Sequence, residues 1–302
     1  MKLINSIKRK WQYERNAWRS DTVALPRVLI LGAQKAATTS LHYYLTRDPQ
    51  IRAGRTKEIN FFNWNYEKGK RYYKRQFDIR ENVRYIDASP NYLYHPDVPG
   101  RVADLLGTKV KLIVSLRDPV KRAYSTWNMH RDQIKDGLFL KRWQQREQEF
   151  PEVQLYSRFC VNGLPTFEDA AREELKWIEN SEDILEPSLL RRGFYVEQIE
   201  RWLQHFPREC FYFLASEQLQ QVSSFRQVML ELEDFLEIRP SKLPLLEPRI
   251  LNKRAYKHQK INTTILQELQ QLFTDKNRGL EDLTGLSIPW ITNVDAKTKQ
   301  TI

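Results

Sequence analysis

Cysteine is scarce in this chain of 302 residues, because Cys160 and Cys210 are the only two. Two cysteines make no disulfide framework, and together with five scattered histidines they make no cluster with the spacing of a zinc site. The composition fits a reducing compartment, and whether the two cysteines pair stays open. We therefore expect a protein without a metal centre.

Long apolar runs are also missing, and the sequence has no stretch of eighteen apolar residues that would predict a membrane-spanning helix. The start of the chain, MKLINSIKRKWQYERNAWRS, lacks the apolar centre of a signal peptide, so a cytoplasmic location is the prediction. Residues 1–26 instead predict a basic lead-in helix that docks its aromatic side on the domain. Peripheral contact with a membrane surface is the alternative for this helix. Since internal repeats are missing too, a single domain is predicted over residues 27–295, with residues 296–302 as a tail.

The chain is basic, because 49 lysines and arginines against 38 aspartates and glutamates give it a net charge of +11. This excess favours anionic ligands or an anionic surface as the partner, although a generic basic surface explains part of it. No zinc-finger, RNP or basic-zipper pattern is present, so a nucleic-acid partner is not predicted. Apolar residues make up 41% of the chain, which is enough for a substantial core.

The segment RVLILGAQKAATTSLHYYL has the pattern of a buried strand that turns directly into a helix. Val28–Leu31 is a continuous apolar run, Gly32 ends it, and a helical pattern begins at Thr38. The free N–H groups and the positive dipole at a helix start favour an anion, and Lys35 adds a mobile positive charge. The alternative is an ordinary turn whose lysine is only solvated. Three further donors are the hydroxyls of Thr38, Thr39 and Ser40.

This lysine turn does not match the Walker signature of nucleoside triphosphatases. That signature needs a glycine directly before the lysine and a serine or threonine directly after it. Here Gln34 precedes Lys35, and Ala36 and Ala37 follow it. No hydroxyl is therefore placed next to the lysine for a magnesium ion.

A second strand-to-helix corner follows the apolar run KVKLIVSLR. Asp118 suits the helix cap and Pro119 the first helical turn. Arg117, at the end of the strand, and Ser125, two turns into the helix, are predicted to converge on one anion. With further short strands such as Arg84–Ala88, the pattern predicts an α/β fold with a central, mostly parallel sheet flanked by helices.

A candidate general base lies in the block KEINFFN. The apolar side chains of Ile59, Phe61 and Phe62 predict partial desolvation of the Glu58 carboxylate, which would raise its pKa and improve it as a base. The alternative is that Glu58 simply forms an ion pair with Lys57 or a nearby arginine.

Three blocks in this order resemble sulfotransferases that use 3′-phosphoadenosine 5′-phosphosulfate (PAPS): the lysine turn 34–40, KEINFFN at 57–63 and LRDPVKRAYS at 116–125. The sequence is most similar to the sulfotransferase domain of the heparan sulfate N- and 3-O-sulfotransferases and their soluble bacterial relatives. The block RGFYVEQIERWLQHFP at 192–207 adds to the likeness. The resemblance implies a P-loop-NTPase-like sulfotransferase fold and an enzyme that transfers a sulfuryl group from PAPS without needing a metal.

The resemblance also implies residue roles. The 5′-phosphosulfate would lie against the turn formed by Lys35, Ala36, Ala37, Thr38, Thr39 and Ser40. The 3′-phosphate would be held by Arg117 and Ser125, and a later basic loop would close over the nucleotide with Lys253, Arg254 and Tyr256. Glu58 would be the catalytic base, with Lys35 as the catalytic cation and His130 or His95 as alternative bases. The acceptor side would include Lys57, Asn60, Asn91, Tyr92 and His130, and the insertion 131–187 would shape the acceptor pocket.

Three departures from the family pattern bear on the acceptor. Ala88 stands where the heparan enzymes carry a lysine, and Asn60 and Asn63 stand where the 3-O type has histidine and aspartate. The heparan acceptor is therefore not carried over, and the predicted acceptor is a glycan, a lipid or a small metabolite. Two other functions are kept as alternatives, a P-loop-like kinase and a non-catalytic module that binds polyanions.

Overall fold

The computed structural model describes residues 25–78, 82–182, 184–249, 261–288 and 290. The predicted lead-in helix, the tail, and the predicted nucleotide-closing residues Lys253, Arg254 and Tyr256 lie outside these described residues. The described chain divides into two compact units. The first consists of residues 25–33, 37–116 and 200–249, and the second of residues 34–36, 117–199 and 261–290.

A five-stranded parallel sheet forms the centre of the first unit. The spatial order is β2-β3-β1-β4-β5, and every neighbouring pair is parallel. The strands are β1 (Val28–Gly32), β2 (Ile51–Ala53), β3 (Arg84–Ala88), β4 (Lys111–Leu116) and β5 (Phe211–Ala215). All five residues of β1 are buried, as expected of a central strand covered on both faces. The predicted α/β fold with a parallel sheet is confirmed.

The order of the strands singles out the carboxyl end of β1. After β1 the chain goes to one side for β2 and β3 and to the other side for β4 and β5. Such a reversal is where open parallel sheets bind ligands, just outside the carboxyl ends of the strands. The lysine turn follows β1 at this point.

Ten α-helices lie within the described residues. They are α1 (Thr38–Leu45), α2 (Gly69–Lys74), α3 (Val98–Leu106), α4 (Pro119–Gln133), α5 (Gly137–Glu149), α6 (Phe167–Glu179), α7 (Tyr195–Leu203), α8 (Val222–Phe235), α9 (Thr263–Lys276) and α10 (Leu280–Thr284). In the first unit, α1 and α8 pack their apolar sides on the sheet, with Leu41, Leu45, Val228 and Leu232 completely buried.

The second unit has a core of its own, made largely of aromatic side chains. Tyr124 and Trp127 on α4 stack on each other and meet Phe167 of α6 edge-on, and Phe273 of α9 belongs to the same cluster. The start of α4 is as predicted, because Asp118 Oδ1 accepts hydrogen bonds from the N–H groups of Val120 (2.9 Å) and Lys121 (3.1 Å). Each unit therefore has a hydrophobic core of its own.

Candidate active site

The lysine turn is built from residues in unusual backbone conformations. A Cβ at Gly32 would lie 2.9 Å from Leu93 Cβ and from the Pro90 carbonyl oxygen, so only glycine fits there. Lys35 (φ 70°) and Ala37 (φ 58°) both adopt the left-handed conformation, which alternates with ordinary backbone and turns successive N–H groups toward one side. Ala37 is the N-cap residue of α1, and its side chain makes no capping hydrogen bond. Since the first helical N–H groups have no acceptor within the helix, this end of α1 suits an external anion.

Burial separates the side chains of the turn. Ala36 is completely buried, and the hydroxyl residues Thr38 and Ser40 are 5% and 6% exposed. Lys35 and Thr39 are only partly buried. The turn thus presents a cation, one hydroxyl and main-chain N–H groups on a rigid base.

Arg117 contacts the lysine turn directly within the second unit. Its Nη1 donates a hydrogen bond of 3.0 Å to the carbonyl oxygen of Lys35. The main chain at Arg117 is held in turn by Tyr195, whose hydroxyl donates to the Arg117 carbonyl oxygen over 2.7 Å. Burial raises the pKa of Tyr195, which keeps this hydroxyl protonated as a donor. The structure thus brings together two residues predicted for opposite ends of PAPS, Lys35 and Arg117.

Glu58 differs from the expectation for a desolvated base. The apolar neighbours Ile59, Phe61 and Phe62 are themselves buried, whereas the Glu58 side chain is 47% exposed. Glu58 has φ 62° and its N–H donates to the Ala88 carbonyl oxygen over 3.1 Å, so the left-handed turn directs the carboxylate away from the apolar patch. The predicted desolvation of Glu58 is therefore wrong. The alternative ion pair is present, with Lys57 Nζ 2.7 Å from Glu58 Oε1.

His42 on α1 is a residue that the sequence did not single out. Its pKa is lowered to about 4, chiefly by burial and next by the charge of Lys57, while the charge of Glu58 acts in the opposite direction. The imidazole is therefore neutral at pH 7 and lies within the electrostatic field of the Lys57–Glu58 pair. The helical repeat contains the signal that could have found it, because residue 42 lies one turn after Thr38 and Thr39 on the same face of α1.

Two predicted acceptor residues are deeply buried. Tyr92 is completely buried, and its hydroxyl donates to Asp87 and accepts from the Phe61 N–H, so its predicted contact with an acceptor is corrected to a structural one. His130 is 4% exposed and lies on α4. Its pKa is lowered to about 3 by burial first, then by the charges of Arg192 and Lys35. In the described part of the chain, His130 Nδ1 has no hydrogen-bond partner.

Three asparagine side chains gather beside Glu58. Asn63 Nδ2 and Asn91 Nδ2 each lie 3.4 Å from Asn60 Oδ1, and Asn60 Nδ2 donates to the Glu58 carbonyl oxygen over 3.0 Å. The group next to the exposed carboxylate is thus neutral and rich in amides, with Lys57 as its one bonded cation among the described residues. His95, the other alternative base, is buried at 8% exposure with its ring edge-on to Trp64.

Two features are missing from the described residues, a metal-binding group and a helix that could cross a membrane. Nowhere in them do three or more histidine, cysteine, aspartate or glutamate side chains gather in a metal-binding group. None of their helices has the length and apolarity to cross a membrane. Cys160 and Cys210 are both free thiols.

Comparison with known proteins gives consistent matches. A model of the sulfotransferase domain family matches residues 25–278. The membrane-associated sulfotransferase kil1 of Dictyostelium discoideum is 24% identical over 89% of this chain, which spans 67% of that protein. The human bifunctional heparan sulfate N-deacetylase/N-sulfotransferase 3 is 30% identical over 75% of this chain, which spans only 24% of that protein.

A solved structure, that of a sulfotransferase from Alicyclobacillus acidocaldarius, has a similar fold. It superimposes with a TM-score of 0.62 at 22% identity and covers 89% of this chain and 99% of its own.

Proposed function

This chain belongs to the sulfotransferase domain family, and from that premise we propose that it transfers a sulfuryl group from PAPS to a hydroxyl or amine of an acceptor. The observation that best supports the proposal is the hydrogen bond from Arg117 Nη1 to the Lys35 carbonyl oxygen. It joins an arginine suited to one phosphate with a turn suited to another anion. PAPS carries two such groups, the 5′-phosphosulfate and the 3′-phosphate.

The residues of the lysine turn fit the phosphosulfate end. The start of α1 has no side-chain cap, and the left-handed Lys35 and Ala37 direct main-chain N–H groups into the turn. Lys35 supplies a mobile positive charge, with the hydroxyls of Thr38, Thr39 and Ser40 next in the chain. Arg117 uses one of its five N–H donors on Lys35, and we assign its remaining fork, with Ser125, to the 3′-phosphate.

The reaction proposed is an in-line displacement at sulfur. Glu58 takes the proton from the acceptor hydroxyl or amine, and the acceptor atom forms a new bond to sulfur. The bond between sulfur and the bridging phosphate oxygen breaks, and adenosine 3′,5′-bisphosphate leaves. Lys35 and the N–H groups at the start of α1 stabilise the charge that grows on the departing oxygen. A sulfuryl group carries less negative charge than a phosphoryl group, so the chemistry does not require a metal ion.

Glu58 is the base that we favour over the two buried histidines. Its carboxylate is 47% exposed and is paired with Lys57, so an acceptor can reach it. His130 is neutral and chemically able to accept a proton, but its 4% exposure makes it the second choice. His95 is third, because its ring is packed against Trp64.

For the acceptor we propose a hydroxyl-rich molecule such as a glycan. Asn60, Asn63 and Asn91 offer amide donors and acceptors beside Glu58, which suits neutral hydroxyl groups. The relatives named for heparan sulfate support a glycan, and a lipid headgroup or a small metabolite is the alternative.

The proposal is tested first by calorimetric titration with adenosine 3′,5′-bisphosphate and, separately, with ATP and magnesium. We expect micromolar binding of the bisphosphate, clearly tighter than that of ATP and weakened about 10- to 100-fold in Arg117→Ala. Lys109→Ala is the matched control, since Lys109 precedes β4 and Arg117 follows it. Tighter binding of ATP with magnesium would favour a kinase, and no binding of either nucleotide would favour a polyanion-binding module.

A further inference from the structure

A buried carboxylate lies behind the Glu58 segment and outside the groups assigned so far. Asp87, near the end of β3, is only 1% exposed. Its Oδ2 accepts hydrogen bonds from the hydroxyls of Tyr73 (3.0 Å) and Tyr92 (2.8 Å), and its Oδ1 accepts one from Ser89 Oγ (2.7 Å). In the described part of the chain, the hydrogen-bond partners of this carboxylate are all neutral hydroxyls.

Two of these hydroxyls also accept a hydrogen bond from the main chain. The Ser89 oxygen accepts the N–H of Asn60 over 3.0 Å, and the Tyr92 oxygen accepts the N–H of Phe61 over 2.8 Å. A main-chain N–H can only donate, and a hydroxyl has a single hydrogen. Each hydroxyl must therefore point its hydrogen away from the main chain, toward the Asp87 carboxylate. An ionised Asp87 fixes this direction because it can only accept.

The segment that is held this way has a strained backbone. Glu58 and Asn60 have φ angles of 62° and 49°, in the left-handed region that residues other than glycine rarely occupy. Such a conformation persists only where its surroundings hold it in place. Here the Glu58 N–H is bonded to the Ala88 carbonyl oxygen, and the Ser89 and Tyr92 hydroxyls hold Asn60 and Phe61.

We propose that Asp87 is a positioning residue that, through the Ser89 and Tyr92 hydroxyls, fixes the main chain at Asn60 and Phe61 and so aims the Glu58 carboxylate. This role rests on the sulfuryl transfer proposed above, in which Glu58 is the base. Asp87 itself touches neither the donor nor the acceptor. Among the described residues, the Tyr73 hydroxyl bonds to the Asp87 carboxylate and to no main-chain group.

The protonation of Asp87 makes the hold sensitive to pH. Burial raises the pKa of Asp87 to about 6, the three hydroxyl hydrogen bonds oppose that rise, and the charge of Glu58 adds to it. A protonated Asp87 donates its own hydrogen to a neighbouring hydroxyl, and where that hydroxyl is Ser89 or Tyr92 its hydrogen has to turn elsewhere. The relay to Asn60 and Phe61 therefore weakens as the pH falls through about 6.

Stability moves in the opposite direction over the same range. Because the folded pKa of Asp87 is above its ordinary value of 3.8, the folded state binds more protons between these two values. Asp87 thus destabilises the fold least at low pH and most above about 6. For a residue with only a structural role, the stability of the fold and the order at Asn60 and Phe61 would change in the same direction. The relay predicts that, as the pH falls, the fold becomes more stable while this segment becomes less ordered.

Amide hydrogen exchange of the intact protein tests the relay without any ligand. We expect the protection of the Asn60 and Phe61 amides, corrected for intrinsic exchange, to fall several-fold between pH 7 and 5, while the Ile86 amide in β3 is unchanged. Asp87→Asn should lose this protection at both pH values, and the exposed Asp104→Asn is its matched control. Tyr73→Phe keeps the ring and removes one bond that lowers the pKa, so the midpoint should move to higher pH. Amides that stay equally protected across this range in the wild type, or a midpoint unmoved in Tyr73→Phe, would overturn the relay.

Turnover separates this inference from the function on which it rests. The release of adenosine 3′,5′-bisphosphate from PAPS is followed against pH, with water alone and with glucosamine as the probe acceptor. For Tyr73→Phe we expect the midpoint of kcat to move upward with the amide midpoint while the KM for PAPS is unchanged. A kcat midpoint that stays in place would overturn the positioning role. Failure to bind the bisphosphate or to turn over PAPS would overturn the proposed function and leave the amide result standing.

Discussion

The corner after β1 and the corner after β4 both lead from a buried strand into a helix. They differ in whether a side chain accepts hydrogen bonds from the main-chain N–H groups at the start of that helix. The start of α4 is closed by its own carboxylate, since Asp118 accepts from Val120 and Lys121. The start of α1 has Ala37 in a left-handed conformation and no side-chain cap. A capped helix start is already neutralised, so only the first corner offers main-chain N–H groups to an anion. The second corner can bind an anion only through side chains such as Arg117 and Ser125.

The comparison predicts its largest effect at the lysine of the open corner. Lys35→Ala should lower kcat about 100- to 1,000-fold, about 2–4 kcal/mol, because the cation acts on charge that grows in the transition state. The matched control is Lys121→Ala on α4, at the corner that Asp118 closes. Initial rates of PAPS turnover give the result, and wild-type-like turnover in Lys35→Ala would remove the lysine from the chemistry.

At the corner after β4, the side chain of Arg117 should affect the affinity for the nucleotide. Arg117→Ala is expected to weaken adenosine 3′,5′-bisphosphate about 10- to 100-fold, because hydrogen bonds to a charged group contribute about 1.5–3 kcal/mol. Arg117→Lys should recover part of this loss, since lysine keeps the charge but not the planar fork. Calorimetry distinguishes the three proteins. Equal affinities would mean that the second corner binds no phosphate.

Each of the two helices also carries a histidine, half-buried on α1 and buried on α4, and His130 on α4 predicts a pH effect. Its folded pKa of about 3 lies below its ordinary value of 6.5, so the folded state binds fewer protons between them. The stability that His130 contributes is therefore present above about 6.5 and is lost as the pH falls toward 3. Between pH 7 and 5 the difference in unfolding free energy between wild type and His130→Gln should change by about 2 kcal/mol. Urea unfolding at the two pH values measures it, and an unchanged difference would show that His130 has the same pKa in the folded and unfolded states.

Removing the cap should affect stability more than affinity. Asp118→Ala is expected to lower the free energy of unfolding by about 1 kcal/mol, because two N–H groups at the start of α4 lose their acceptor. Asp104→Ala, on an exposed position of α3, serves as the control. A large loss of bisphosphate affinity in Asp118→Ala, without unfolding, would contradict the distinction between the two corners.

The smallest effect concerns the two alanines of the open corner. Ala37→Gly should raise the free energy of unfolding by up to about 1 kcal/mol, since glycine adopts a left-handed conformation without strain. Ala36→Gly is the matched control and should be destabilising, because Ala36 is completely buried and does not have a positive φ. Thermal unfolding compares the two, and the opposite order would show that the strain lies elsewhere in the turn.

Local patterns in the sequence predict much of the fold. The apolar runs at Val28–Leu31 and within KVKLIVSLR predicted two buried strands, because strands covered on both faces are built largely from apolar residues. Asp118 and Pro119 predicted the start of α4 for a reason that is equally local. The sequence predicts an anion site at the lysine turn, but it does not predict the left-handed residues, since an alanine at position 37 gives no signal for a positive φ.

The parts that could not be predicted depend on distant contacts. The block KEINFFN suggested that the apolar neighbours of Glu58 would bury its carboxylate, whereas the left-handed backbone directs it into solvent. That backbone is held from β3, about thirty positions along the chain, through Ser89 and Tyr92. For the same reason Tyr92 was assigned to an acceptor, although its hydroxyl serves Asp87 and Phe61. Single-sequence patterns report local preferences and are silent about such pairings.

The alanine at position 37 has a further consequence for how the enzyme would use its donor. A glycine-rich turn is loose when empty and has to be ordered each time a nucleotide arrives, which costs conformational entropy in every catalytic cycle. An alanine held in the same left-handed shape has few other conformations open to it in the folded protein. The ordering cost is then met once, when the chain folds, and each PAPS molecule would meet a turn that already has its binding shape.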